Sequence, residues 1–168
     1  YETPDKLAFE DVFDKFLREH PLSEARIKQY EVVKRSLLRY EMYVRITSDN
    51  NYRIDLSNVT SDDLDDIWEY IFHECELFEK YPELLEAFPN KKMPQPRSLN
   101  TMADIFKKIR AFFRWGYQSG YLKKNPFDGF KIAQELYGTP IYLTKDEVKI
   151  LYQTDYSAHP DLEIQRDI

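Results

Sequence analysis

Apolar side chains recur at steps of three and four along most of the chain, the spacing that gathers them on one face of a helix. Leu7, Val12, Phe13, Phe16 and Leu17 predict a helix over about 7–19, with Pro21 past its end and Ser23 placed to cap the next. Ile27, Tyr30, Val33, Leu37, Tyr40 and Val44 form one stripe and predict a second helix over about 24–45. The segment SDNNYRIDLSNV breaks the period and reads as a loop with a short extended piece. Thr60-Ser61-Asp62-Asp63 resembles a capping box, with Asp in place of Glu or Gln, and opens a third helix carrying Leu64, Ile67, Trp68, Ile71, Phe72 and Cys75. The acids Asp62, Asp63, Asp65 and Asp66 suit the positive end of that helix dipole.

A connector punctuated by prolines follows from Tyr81 to Pro96, with PELLEAF as one short helix inside it. The next long segment, about 99–119, is cleanly two-faced. Met102, Ile105, Phe106, Ile109, Phe112, Phe113 and Gly116 make the buried stripe, and Asn100, Ala103, Lys107, Arg110, Ala111, Arg114 and Gln118 lie opposite. Gly120 ends it and Asn125-Pro126 turns the chain away. Beyond lie a short helix over 131–136, the extended stretch YGTPIYLT, a capping box at Thr144 to Glu147 and a further helix after Pro160. The fold class is all-α. Residues 1–136 form a helical domain of four or five helices, 137–143 a linker, and 144–168 the truncated start of a second domain, too short to bury a core alone.

Composition changes this picture in two ways. At 168 residues and 42% hydrophobic, the chain can bury one ordinary core and is not a disordered segment. No apolar run approaches the roughly 18 residues of a membrane span, and YETPDKLAFE lacks the basic and apolar regions of a secretory signal. The first residue is Tyr, which suggests a piece of a longer chain. The single cysteine, Cys75, fits a reducing, cytoplasmic setting. Asn58-Val59-Thr60 matches a glycosylation sequon, read as chance, with Thr60 serving as a helix cap.

Charge is the second change. The net charge is −6, but it is unevenly spread. Residues 60–90 carry ten acids and one Lys, a net of −9, whereas 97–131 carry eight bases and two acids, a net of +6, and 23–45 a net of +3. A binding partner feels the local field rather than the total.

Metal and nucleophile chemistry finds little support. The three histidines, His20, His73 and His159, are scattered, and His73 and Cys75 point about 200° apart on a helix. The Asp cluster at 62–66 lacks the glycine and spaced Glu of a calcium loop. No CxxC, HExxH, GxSxG, P-loop or GxGxxG motif occurs. The basic faces remain. Lys and Arg on an exposed helix are ordinarily solvated surface, but on the 99–119 helix no acid shares the face of Lys107, Arg110 and Arg114 to consume them. Ala103 and Ala111 between them allow close approach, and Asn100 and Gln118 can pair with base edges. On the 24–45 helix, Lys28, Arg35 and Arg39 lie within about 40° of one another, opposite the apolar stripe.

The stretch SLNTMADIFKKIRAFFRWGYQSGYLKKNPF resembles the last helices of the core-binding domain of tyrosine recombinases, the phage-integrase family. Phe112, Phe113, Trp115, Gly116, Gly120, Tyr121, Leu122, Asn125 and Pro126 match the family's aromatic helix ending in Asn-Pro, with Gly116 where Ala is commoner. Upstream, FDKFLREH, the helix from Ser23 to Tyr40 and NVTSDDLDDIWEYI resemble its opening helices. Downstream, PIYLTKDEVKILYQT resembles the start of its catalytic domain. The resemblance implies a SAM-like bundle that clamps duplex DNA with its catalytic domain. Carried over position by position, it implies DNA contacts at Lys28, Arg35 and Arg39, at Asn100, Lys107, Lys108, Arg110 and Arg114, and against phosphate at Lys123 and Lys124. It implies no metal, nucleotide or other cofactor, no small-molecule ligand, and protomers that assemble as tetramers on DNA. The family's catalytic residues belong to a domain beyond this chain, so the fragment is expected to be inert while its parent is a recombinase working through a phosphotyrosine intermediate.

Two other classes compete. A helical protein-interaction module would use the acidic 60–80 helix to meet a basic partner. A self-contained hydrolase is the weaker reading, since no nucleophile–base arrangement is visible.

Overall fold

The computed structural model describes residues 8–90, 93, 95–132 and 143–155. Among them the chain forms six helices and one 3-10 turn, with no strand. These are α1 (Phe9–Glu19), α2 (Glu24–Thr47), α3 (Ser61–Lys80), α4 (Glu83–Ala87), α5 (Leu99–Gln118), the 3-10 turn (Pro126–Asp128) and α6 (Lys145–Gln153). The chain divides into two units, residues 1–136 and 137–168. The helices expected over 131–136 and after Pro160, the 137–143 linker and Leu7 lie mostly or wholly outside the described residues.

Local chemistry sets the helix starts. Ser23 and Ser98 accept hydrogen bonds from the amides of Arg26 and Thr101 and so cap α2 and α5. Thr60 caps α3 reciprocally: its amide donates to Asp63 Oδ2 at 2.7 Å and the Asp63 amide donates to Thr60 Oγ1 at 3.3 Å. Asp thus closes the box despite its shorter reach. Thr144 and Glu147 make the same box at α6. There the Thr144 amide and hydroxyl hold the Glu147 carboxyl below the usual range.

The first unit is arranged around α2. It packs against α1, α3, α4 and α5, and every residue from Ser36 to Glu41 is buried. The 48–59 loop closes over its end. Ile54 and Leu56 of that loop are buried, and the Ile54 amide donates to Glu41 Oε2 at 3.0 Å. The short extended piece expected there is coil. Its alternating apolar residues are held by the core and by a side chain rather than by a neighbouring strand.

Candidate nucleic-acid interface

The rotation of α5 about its axis decides which charges face out. Met102, Phe106, Ile109, Phe112 and Phe113 are buried along its length. Phe112 meets Phe13 at 4.5 Å between ring centroids, Phe16 at 5.5 Å and Phe9 at 5.7 Å, all on α1. Phe106 stacks on Phe130 at 5.3 Å and packs against Trp68 of α3 at 4.7 Å. Each such side chain contributes about 1.5–3 kcal/mol on burial. Surface charge pairs contribute about 0.2–0.5 kcal/mol. The aromatic face therefore fixes the helix, and the polar face follows.

Lys107, Arg110 and Arg114 sit on that face at spacings of three and four, and all three are exposed. Arg110 and Arg114 have no ion-pair partner among the described residues. Lys107 differs from expectation: Asp104 lies one turn away, with Nζ 3.9 Å from Oδ1. This pair is exposed on both sides, so it holds Lys107 weakly. Lys108 is half-buried at the side of the face and donates to the Asp104 carbonyl at 3.3 Å. Asn100 is half-buried in the first turn. Ala103, expected on the outer face, is fully buried instead, because the bundle wraps further around α5 at its N-terminal end than its stripe of large side chains indicates.

On α2 the expected basic face is interrupted. Lys28 is exposed near the helix start, and Arg35 is half-buried with Nε donating to Asn90 Oδ1 at 3.2 Å. Arg39 is a correction. Its side chain is 1% exposed and its Nη1 lies 3.0 Å from Glu74 Oε1. Its Nε donates to the Phe88 carbonyl at 3.0 Å, and its guanidinium sits over the Phe78 ring. Arg39 belongs to the core. A helical stripe predicts a solvent face only when one side lacks neighbours, and α2 has neighbours on every side over this turn.

The turn after α5 presents Lys123 and Lys124, both exposed and without an ion-pair partner among the described residues. It is held in place. Tyr121 stacks on Trp115 at 5.5 Å, and Lys15 of α1 donates to the Tyr121 hydroxyl at 2.7 Å. That hydrogen bond raises the Lys15 ammonium above its ordinary pKa. Gly120 supplies the left-handed residue (φ 82°) that this turn needs. At Gly116 a Cβ would lie 2.5 Å from Leu122 Cδ1, the tip of a side chain, so a larger residue there would make Leu122 shift. Lys123 also lines a cavity of about 740 Å³ whose wall includes Phe9, Leu38, Ile54 and Tyr121.

Sequence reasoning missed Glu74 and Arg97. Glu74 is wholly buried and binds both Arg39 and Arg97. A signal existed. Ile67, Ile71, Glu74 and Phe78 run along one buried stripe of α3, and a carboxylate at such a position demands a cation. The opposite surface of α3 is acidic, with Asp62, Asp65, Asp66, Glu69, Glu76 and Glu79 exposed. His73 lies between Glu69 and Glu76 on it, at 3.8 and 3.3 Å. Among the described residues no cluster of His, Cys, Asp and Glu is placed to hold a metal, and no helix is long and apolar enough to cross a membrane.

No curated protein and no solved structure matches the chain. A family model described as the phage integrase SAM-like domain matches residues 8–132, which span α1 to α5 and the 3-10 turn with its basic flank. With an all-helical bundle whose last long helix has the aromatic and basic faces described above, the chain belongs to the phage integrase SAM-like domain family.

Proposed function

We propose that this domain binds duplex DNA through the outer face of α5, with Asn100, Lys107, Lys108, Arg110 and Arg114 as its contacts. Lys28 and Arg35 of α2 and Lys123 and Lys124 after α5 add phosphate contacts around it. The observation that carries the reading is the pair Arg110 and Arg114, exposed and unpaired among the described residues on a helix locked by its aromatic side. Phosphate contacts supply affinity, and an α-helix has the width to enter a major groove. Arg39 drops out of the set, since moving it would leave Glu74 buried with one cation fewer. The domain serves as the DNA-gripping part of a site-specific recombinase. Strand cutting through a phosphotyrosine intermediate, and tetramer assembly on DNA, belong to the parent protein, with no metal or nucleotide cofactor.

The test is fluorescence anisotropy of a labelled random duplex across a salt series. The expected result is binding that weakens with salt. In the Lys107→Ala/Arg110→Ala/Arg114→Ala variant the slope of log K against log salt falls by about 0.9 for each phosphate that the protein no longer neutralises. Binding unchanged by the triple substitution refutes this face. A second reading has its own observation, the exposed acids of α3: a module that meets a basic protein there. It predicts that neutralising Asp62, Asp65 and Asp66, rather than the α5 cations, abolishes partner binding.

A further inference from the structure

The core holds a charge cluster that the DNA face described above does not use. Glu74 of α3 has a side chain 0% exposed, and its two oxygens meet two guanidiniums. Oε1 accepts from Arg39 Nη1 at 3.0 Å. Oε2 accepts from Arg97 Nη2 and from Ser36 Oγ, the latter at 3.2 Å. Each arginine also holds a backbone carbonyl: Arg39 binds that of Phe88, at the end of α4, and Arg97 Nη1 donates to that of Ile71 in α3 at 2.6 Å. Arg97 directly precedes Ser98, the cap of α5. Arg39 therefore grips the start of the segment joining α4 to α5, Arg97 is the end of that segment, and one carboxylate binds both.

We infer that Glu74 is a positioning residue for the α5 surface, fixing the helix's N-terminal end and so the register in which Asn100, Lys107, Arg110 and Arg114 are presented. This rests on the DNA reading of that surface. Two buried cations around one anion are held only while the anion is charged, because a neutral acceptor does not offset the desolvation of two guanidiniums. The two arginines would respond unequally. Arg39 is 1% exposed and enclosed by the core, whereas Arg97 is 10% exposed. With Gln at position 74, Arg97 is the one that leaves for solvent. The start of α5 then loses its anchor to α3 while the aromatic half of the helix stays packed.

The experiment compares the wild-type chain with Glu74→Gln, Arg97→Gln and Ile67→Val in duplex anisotropy over a salt series, with circular dichroism to establish that each is folded at the assay temperature. Arg97→Gln leaves a one-to-one Arg39–Glu74 pair, so it carries the test if Glu74→Gln does not fold. Ile67→Val trims the same buried stripe of α3 without touching the charges. The expected result is that Glu74→Gln and Arg97→Gln each raise Kd about fivefold or more. The salt slope also falls, because fewer phosphates are met at once. Ile67→Val leaves both unchanged. Wild-type affinity and slope in folded Arg97→Gln overturn the inference, as does an equal loss in Ile67→Val. A folded wild-type chain that binds no duplex overturns the DNA reading together with it.

Discussion

Arg39 on α2 and Arg110 on α5 occupy similar places in the sequence pattern, each on the side of a long helix opposite an apolar stripe. One is buried against Glu74 and the Phe88 carbonyl, and the other is exposed. The helices differ in their neighbours. α5 is packed along one side, but α2 over Ser36 to Glu41 is enclosed by helices and by the 48–59 loop. Periodicity says which residues share a face. Only the arrangement of neighbouring elements says whether that face meets water.

This contrast can be broken or sharpened by substitution. The largest effect is expected for Arg39→Met, which leaves the buried Glu74 carboxylate with Arg97 as its one remaining cation. Removing one partner of a buried ion pair costs about 3–5 kcal/mol, read from urea unfolding midpoints. Arg110→Ala should stay within about 0.5 kcal/mol in the same assay, and a loss comparable to that of Arg39→Met would place it in the core.

A pH titration separates buried from exposed groups again. Burial raises the Tyr40 and Tyr70 hydroxyls far above the ordinary tyrosine range. An acid with a raised folded pKa contributes its full stability below the unfolded value of about 10 and loses it as pH rises beyond. Stability should fall above about pH 10, by up to about 1.4 kcal/mol per pH unit for each tyrosine. In Tyr70→Phe the fall should be shallower. At neutral pH that variant should be nearly as stable as wild type, since the buried Tyr70 hydroxyl has no hydrogen-bond partner to lose among the described residues.

A smaller effect tests the helix starts. Thr60→Ala removes a reciprocal cap and should lower stability by about 1 kcal/mol. Ser98→Ala removes a one-way cap at 3.3 Å and should lose no more than that. A loss larger than that of Thr60→Ala would show that the start of α5 depends on its cap more than on the Arg97 anchor.

Much of the fold was legible because it is local. The apolar stripes of α1, α3 and α5, the caps at Ser23, Thr60 and Thr144, and the glycine that ends α5 each lie within a few residues of what they control. The polar face of α5 was legible for the same reason. What escaped was long-range. Arg39 meets Glu74 across 35 positions and Glu74 meets Arg97 across 23, separations over which no period carries information. Ala103 escaped because a small side chain gives no sign of its side. Asp104 was readable and was missed: it is exposed three positions before Lys107, a spacing that brings two side chains together on a helix.

The separation of charge between α3 and α5 has a consequence for encounter kinetics. Seen from far off, the chain is an anion of net charge −6, and a polyanion repels it. Seen from close by, the cations of α5 dominate their own surroundings. The Debye length sets the distance at which one view replaces the other, about 10 Å at 0.1 M salt and about 30 Å at 0.01 M. Lowering the salt therefore extends the repulsion along with the attraction. A polyanion approaching such a molecule would turn it, the acidic surface of α3 away and the basic face of α5 toward, and the association rate would gain less from dilution of salt than that of a uniformly basic protein.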